Sequence, residues 1–317
     1  MLLLLLAILV LAAFLGPRVR MEEPTQPPRM QADLEGLLAE GEGKLADLIE
    51  GTEKRIVWAD PERPALTAWS IVYIHGFSAT RQEVVPLFDD VAKDLGANLF
   101  YARLRGHGRP GLALGEVEVR DWLEDAWEAY EIGRRIGRRV LLAGTSTGGA
   151  LATWVAARHA DDALGALVLL SPNFEPRDER WRLLLKPWAP VLVPLAFGKN
   201  WGFDPINEQH QRWWTTSYPT RALLPMAGLV ELVSRIDGAD VRAPTLAFVA
   251  EGDELVDPAA TRRRVEGFGA SIREVVLVED ADDPQQHVLA GAVLSPTSTP
   301  GIRRRIVRFV GQLEDRQ

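Results

Sequence analysis

The chain contains no cysteine, which removes disulfides, thiolate metal sites and a cysteine nucleophile from consideration. Histidine is nearly as scarce. The five residues, His75, His107, His159, His210 and His287, show no H-x-x-x-H or H-E-x-x-H spacing, so a zinc held by paired histidines is not encoded. No metal and no cofactor are implied. Positive charge is also in short supply: 36 Lys and Arg face 44 Asp and Glu, for a formal net charge of -8. Without a long basic run to replace counterions along phosphates, nucleic acid is excluded as a partner. What is present is 317 residues with 47% hydrophobic content, enough for one large α/β domain carrying an insertion.

The first residues differ in kind from the rest. Met1 to Gly16 is almost wholly Leu, Ala, Ile, Val and Phe, and as a helix it would span about 24 Å at ~1.5 Å per residue, a little short of a hydrocarbon core of about 30 Å. No positive charge precedes the run and no A-x-A-like site follows it, so the expectation is an uncleaved anchor rather than a signal segment. Arg18 and Arg20 after the run point to the cytoplasmic face, with export as the alternative. Residues 17–30, with Pro17, Pro24, Pro27 and Pro28, read as an extended linker. Residues 31–317 then form the folded domain.

Within that domain, Leu34 to Ile49 gives one or two short amphipathic helices. Lys54 to Ala59 and Ser70 to Ile74 read as strands joined by the turn-rich Asp60-Pro61-Glu62-Arg63-Pro64, a hairpin entering a sheet. Helix and strand then alternate: a helix over Glu83 to Leu95, a strand over Ala97 to Leu104, a long helix over Glu116 to Ile136, and strands at Val140 to Ala143 and Leu164 to Leu170. Alternation of this kind predicts a mostly parallel central sheet with helices on both faces. From about 173 to 240 it stops. That stretch holds five of the ten tryptophans and seven prolines, and reads as an inserted cap. The pattern resumes with strands at Pro244 to Ala250 and Ile272 to Val278, helices at Pro258 to Gly267 and Gly301 to Leu313.

The chemistry concentrates around Gly144-Thr145-Ser146-Thr147-Gly148-Gly149. A buried strand precedes it and a helix rich in small residues follows, so the G-x-S-x-G pattern sits where a nucleophile elbow requires it. Such a turn lifts the Ser146 hydroxyl above the sheet edge and turns the Thr147 N–H toward a substrate oxyanion. A second donor belongs to the loop after an early strand. His75-Gly76-Phe77-Ser78 follows Ile71-Val72-Tyr73-Ile74, and Gly76 allows the close approach that lets the Phe77 N–H face inward, with His75 propping the loop.

A serine nucleophile needs a base, and the base needs a carboxylate that fixes its tautomer. With chain order Ser, acid, His, His159 lies too near the elbow and His210 falls in the cap, which leaves His287. The acid should follow the preceding strand, where Glu251-Gly252-Asp253 stands. Asp257 is the rival, although before Pro258 it looks like a helix cap; Asp282 and Asp283 are further candidates. Each favoured residue falls just beyond the C-terminal end of a predicted strand, the edge where open parallel sheets build their sites.

These pieces, His75-Gly76-Phe77, Arg105-Gly106-His107-Gly108, Gly144 to Gly149, Gly252-Asp253 and His287-Val288, together resemble an α/β-hydrolase. Within that superfamily they are similar to the carboxylesterase and monoacylglycerol lipase group, the serine aminopeptidase-like enzymes, over about residues 54–313. The resemblance implies a triad of Ser146, Asp253 and His287, with Phe77 and Thr147 donating N–H groups to the oxyanion. The family loop usually reads Pro-Gly-His-Gly where Arg105 stands here. The function expected is a serine hydrolase cleaving carboxylic esters of apolar acyl groups through an acyl-enzyme. A peptidase or amidase with the same triad is the alternative, and a non-catalytic binding protein on a hydrolase fold the next. Oligomeric state is not encoded legibly.

Overall fold

Residues 15–315 are described in this computed structural model. After α1 (Leu34–Gly43) the chain lays down β1 (Arg55–Val57), β2 (Thr67–Ile74), α2 (Leu87–Leu95), β3 (Asn98–Tyr101), the single turn α3 (Gly111–Leu114), α4 (Val119–Ile136), β4 (Gly137–Thr145), α5 (Thr147–Arg158) and β5 (Leu164–Leu170). An insertion of α6 (Ala189–Phe197), β6 (Asn200–Gly202), α7 (Glu208–Trp213), β7 (Ser217–Pro219) and α8 (Leu223–Ser234) follows. The chain then returns through β8 (Thr245–Val249), α9 (Pro258–Glu266), β9 (Arg273–Leu277) and α10 (Thr299–Glu314).

Seven strands form one sheet in the order β1-β3-β2-β4-β5-β8-β9, and only β1 runs antiparallel to its neighbour. The strand period of two divides the apolar residues of β2 cleanly. Val72 and Ile74 join the core under α4 and α5, while Ile71 and Tyr73 join the core under α2 and α10. Helices therefore cover both faces, and the central strands are apolar throughout because neither face meets water.

Two local expectations change. β1 does not pair with β2 in a hairpin; its Ile56 stands opposite Phe100 of β3. β2 has no free edge to offer, since β3 and β4 flank it, so the turn-rich 60–64 segment is a crossing connection. The helix expected from Glu83 starts at Leu87, after a short 3-10 turn at Arg81–Glu83. Pro86 explains the delay, because the residue before a proline is driven out of the helical region.

The membrane assignment also requires correction. Among the described residues no helix is long and apolar enough to cross a membrane, which overturns the membrane-associated location expected through residues 1–16. Residues 1–14 of that stretch lie outside the described residues. Residues 17–30 carry no helix or strand and lie along the domain. The Pro17 carbonyl accepts from Trp188 N at 2.8 Å, Val19 and Met21 pack against apolar core, and Glu23 Oε2 accepts from Trp154 Nε1 at 2.6 Å.

Candidate active site

Parallel register brings the strand ends level. Ile74 is opposite Gly144, Thr145 opposite Leu170, and Leu170 opposite Phe248. The segments leaving β2, β4 and β8 thus emerge at one edge, with the loop after β9 beside them.

At the end of β4 the backbone turns straight into α5. Ser146 occupies φ 52°, ψ -117°, a left-handed conformation unusual for a residue with a side chain. Three backbone hydrogen bonds hold it there: Ser146 N donates to Leu170 O at 2.9 Å, and Asn173 N and Ala150 N donate to Ser146 O at 2.9 and 3.1 Å. The flanking glycines are steric necessities. A Cβ on Gly148 would lie 2.0 Å from the Ile74 carbonyl oxygen, and one on Gly144 would lie 2.3 Å from the Gly148 carbonyl oxygen. The Ser146 residue keeps 9% exposure.

Facing the elbow, the loop after β2 is braced by two buried histidines. His75 Nε2 accepts from Leu104 N at 3.1 Å, so its Nδ1–H donates to the Gly76 carbonyl at 2.9 Å. His107 Nε2 accepts from Ser78 N at 3.0 Å, and its Nδ1–H donates to the Arg105 carbonyl at 3.1 Å. Burial holds His75 down to about 4 and His107 well below the usual histidine value, so both are neutral braces. The arrangement leaves the N–H groups of Phe77 and Thr147 without a partner among the described residues. Both residues line the same cavity as Ser146.

In the cavity wall, His287 Nδ1 lies 2.9 Å from Asp253 Oδ2. A carboxylate only accepts, so Nδ1 carries the hydrogen and Nε2 keeps its lone pair. Asp253 is almost fully buried, and its other oxygen accepts from Leu255 N and Val256 N at 2.9 Å each. Burial alone would raise its pKa, but the His287 charge and these three hydrogen bonds hold the carboxyl below the usual range. Burial would likewise depress His287. The charge and hydrogen bond of Asp253, with Asp283 and Glu83 nearby, outweigh it and raise His287 above its ordinary value.

Of the rival acids, Asp257 caps α9, its Oδ1 accepting from Ala259 N at 2.9 Å. Asp283 receives the backbone N–H groups of His287 at 3.0 Å and Val288 at 2.8 Å, which fixes the histidine loop rather than the imidazole. Asp282 accepts from Thr297 N and Oγ1. His159 stacks on Trp127 with centroids 3.7 Å apart, remote from these groups. His210, by contrast, reaches the cavity wall.

Ser146 and His287 open on a cavity of about 310 Å³. Its apolar wall comes largely from the insertion: Trp201, Phe203, Trp214, Tyr218, Leu223 and Met226. The insertion's tryptophans do not share one job. Trp201 and Trp214 line the cavity, whereas Trp181 packs with Ala227 and Val230 in a small core of its own. Among the cavity residues that the sequence did not single out, Glu83 is the most polar in its contacts. Glu83 is 2% exposed, and its Oε1 accepts from Gly76 N and from the Tyr73 hydroxyl, each at 2.7 Å. Seven residues past Gly76, it reads in sequence as an ordinary helix start.

Several known proteins similar to this chain are named as lipases or lipolytic enzymes. The chain is 23% identical over 219 residues to the thermostable monoacylglycerol lipase of Bacillus sp. strain H-257, covering 67% of this chain and 81% of that one. In three dimensions it is similar to a solved structure from the metagenome-derived lipolytic enzymes LipS and LipT (TM-score 0.65, 19% identity, 84% of this chain and 99% of that one). It is also similar to a soluble variant of monoglyceride lipase from Saccharomyces cerevisiae in complex with a substrate analog (TM-score 0.62, 12% identity, 94% and 99%). The family model described as serine aminopeptidase, S33 matches residues 67–282, from the start of β2 to the edge of the His287 loop. Covering more than half of the sequence and agreeing with the fold, that match makes the chain a member of the S33 serine aminopeptidase family of α/β-hydrolases.

Proposed function

We propose that the protein is a serine hydrolase that cleaves carboxylic esters of apolar acyl groups, with Ser146, Asp253 and His287 as its triad. The observation carrying this reading is the pairing of His287 with Asp253 in the cavity onto which the strained Ser146 turn opens. In the first half-reaction His287 Nε2 takes the Ser146 proton as Oγ attacks the ester carbon. The carbonyl oxygen gains negative charge and accepts from the N–H groups of Phe77 and Thr147. Collapse expels the alcohol, which takes the proton from His287, and leaves an acyl group on Ser146. Water, activated by the same imidazole, then releases the acid and restores the serine. Asp253 stays ionised throughout and stabilises the imidazolium.

The apolar wall supports the acyl preference. Trp201, Phe203, Leu223 and Met226 offer few polar partners to a peptide backbone, while an acyl chain gains about 0.8 kcal/mol per buried methylene. The relatives' monoacylglycerol lipase names agree with an ester substrate. The test is a p-nitrophenyl series from acetate to laurate beside aminoacyl p-nitroanilides. kcat/KM should climb by up to ~4-fold per methylene until the cavity is full. A profile that falls from acetate onward, or anilides cleaved faster than esters, contradicts the reading.

A further inference from the structure

We infer that Glu83 is a positioning residue of this active site: one carboxyl oxygen ties the backbone leading to Phe77 to the strand end leading to Ser146, and the group as a whole sets the charge beside His287. The inference rests on the triad and oxyanion roles proposed above.

The tie is built from short bonds. Glu83 Oε1 receives both Gly76 N, immediately before Phe77, and the Tyr73 hydroxyl, each at 2.7 Å. That hydroxyl is also 2.7 Å from Thr145 Oγ1, immediately before Ser146. One oxygen thereby spans the two segments that supply the two oxyanion donors. The second oxygen lies beside the same glycine as the nucleophile. A point where a Gly76 Cβ would stand is 3.2 Å from Glu83 Oε2 and 3.4 Å from Ser146 Cβ, and Gly76, Glu83 and Ser146 line one cavity.

A buried carboxyl is costly unless paired, and among the described residues no Lys or Arg forms a salt bridge with Glu83. Its neighbours are the Tyr73 hydroxyl, the Gly76 N–H and His287, and burial pushes its pKa up to about 7. His287 is faced by Asp253 and Asp283 as well as Glu83. Asp253 is held ionised by its hydrogen bonds, and Asp283 is engaged by backbone N–H groups. Burial brings the Glu83 carboxyl nearer to neutrality than an ordinary glutamate, to about 7. Ionised, it favours the imidazolium and raises the pH at which the base becomes free.

The experiment measures kcat and KM for a short p-nitrophenyl ester between about pH 5 and 9 on the full chain and on Glu83→Gln, Glu83→Ala and Tyr73→Phe. Glu83→Ala should lose about 10²-fold in kcat with little change in KM, the scale of one misplaced oxyanion donor. Glu83→Gln keeps an acceptor oxygen and should recover about tenfold of that loss. It should also move the acid limb of kcat/KM downward by roughly half a pH unit, because His287 loses a negative neighbour. Tyr73→Phe should fall between the two. The inference is overturned if Glu83→Ala stays within about threefold of the parent in kcat, if its loss sits in KM alone, or if the acid limb of Glu83→Gln does not move. That limb is read from the active fraction, so it decides the matter even where the alanine variant folds poorly. Ser146→Ala run alongside separates the two levels: turnover surviving there faults the nucleophile assignment, not Glu83.

Discussion

The sheet edge and the insertion above it are built on different terms. Along the edge nearly every residue answers to a backbone demand: Ser146 is held at positive φ, Gly148 leaves no room for a Cβ beside the Ile74 carbonyl, and two neutral histidines pin the loop that carries Phe77. The insertion makes such demands at fewer places, Trp188 at φ 70° and Gly202 among them, and none of them at the nucleophile. Val191, Leu192, Leu195 and Phe197 are exposed, Trp181 sits in a private cluster, and only some aromatics reach the cavity. A change at the edge should therefore destroy chemistry outright, whereas a change in the insertion should alter which substrate is preferred.

The largest expected effect is at the nucleophile. Ser146→Ala should lower ester turnover by about 10⁶-fold and abolish labelling by a fluorophosphonate; labelling that persists places the nucleophile elsewhere. Asp253→Asn comes next, with a loss of about 10⁴-fold in kcat, because the amide would favour the wrong histidine tautomer. Asp257→Asn should leave turnover near the parent level, since that side chain caps α9. If the two rank in reverse, the acid is Asp257.

An intermediate effect tests the braces. His75 is neutral in the folded chain down to about 4 but takes up a proton at its ordinary 6.5 once unfolded. The unfolded state then binds more protons between those values, so the stability His75 contributes is full above 6.5 and is lost as pH falls toward 4. The loss amounts to about 3 kcal/mol for this one group. Thermal unfolding should show Tm dropping across that window, and His75→Gln should flatten the drop; an unchanged slope contradicts the neutral brace. The smallest effect belongs to the insertion. Trp201→Ala should lower kcat/KM for long acyl esters by about tenfold, near 1.4 kcal/mol, and much less for acetate. An equal loss on both esters would erase the distinction between the two regions.

This contrast also explains what could be read from sequence. The elbow, the Gly76 loop and the Gly252-Asp253 turn were legible because glycine, serine and aspartate occur there in spacings that few backbones require. Placement of β1 was not, since pairing with β3 rather than β2 depends on which strands are already flanked. Glu83 escaped notice for a similar reason. Nothing local marks it; its burial and its bonds to Tyr73 and Gly76 exist only once β2 and the following turn fold back together. The division of labour among the insertion's tryptophans was equally hidden, because aromatic content reports area to be buried and not the partner that buries it.

The stretch from Pro17 to Glu23 joins these two regions. It meets the insertion at Trp188 N, passes Gly228 of α8 where Val19 and Met21 fill the space a side chain would take, and ends on Trp154 and Arg158 of α5. Mechanically it is a strap fastened at one end to the insertion and at the other to α5. A cut after Pro28 would do more than trim the chain: it would take Val19 and Met21 away from Gly228 and leave the apolar surface they cover open to water.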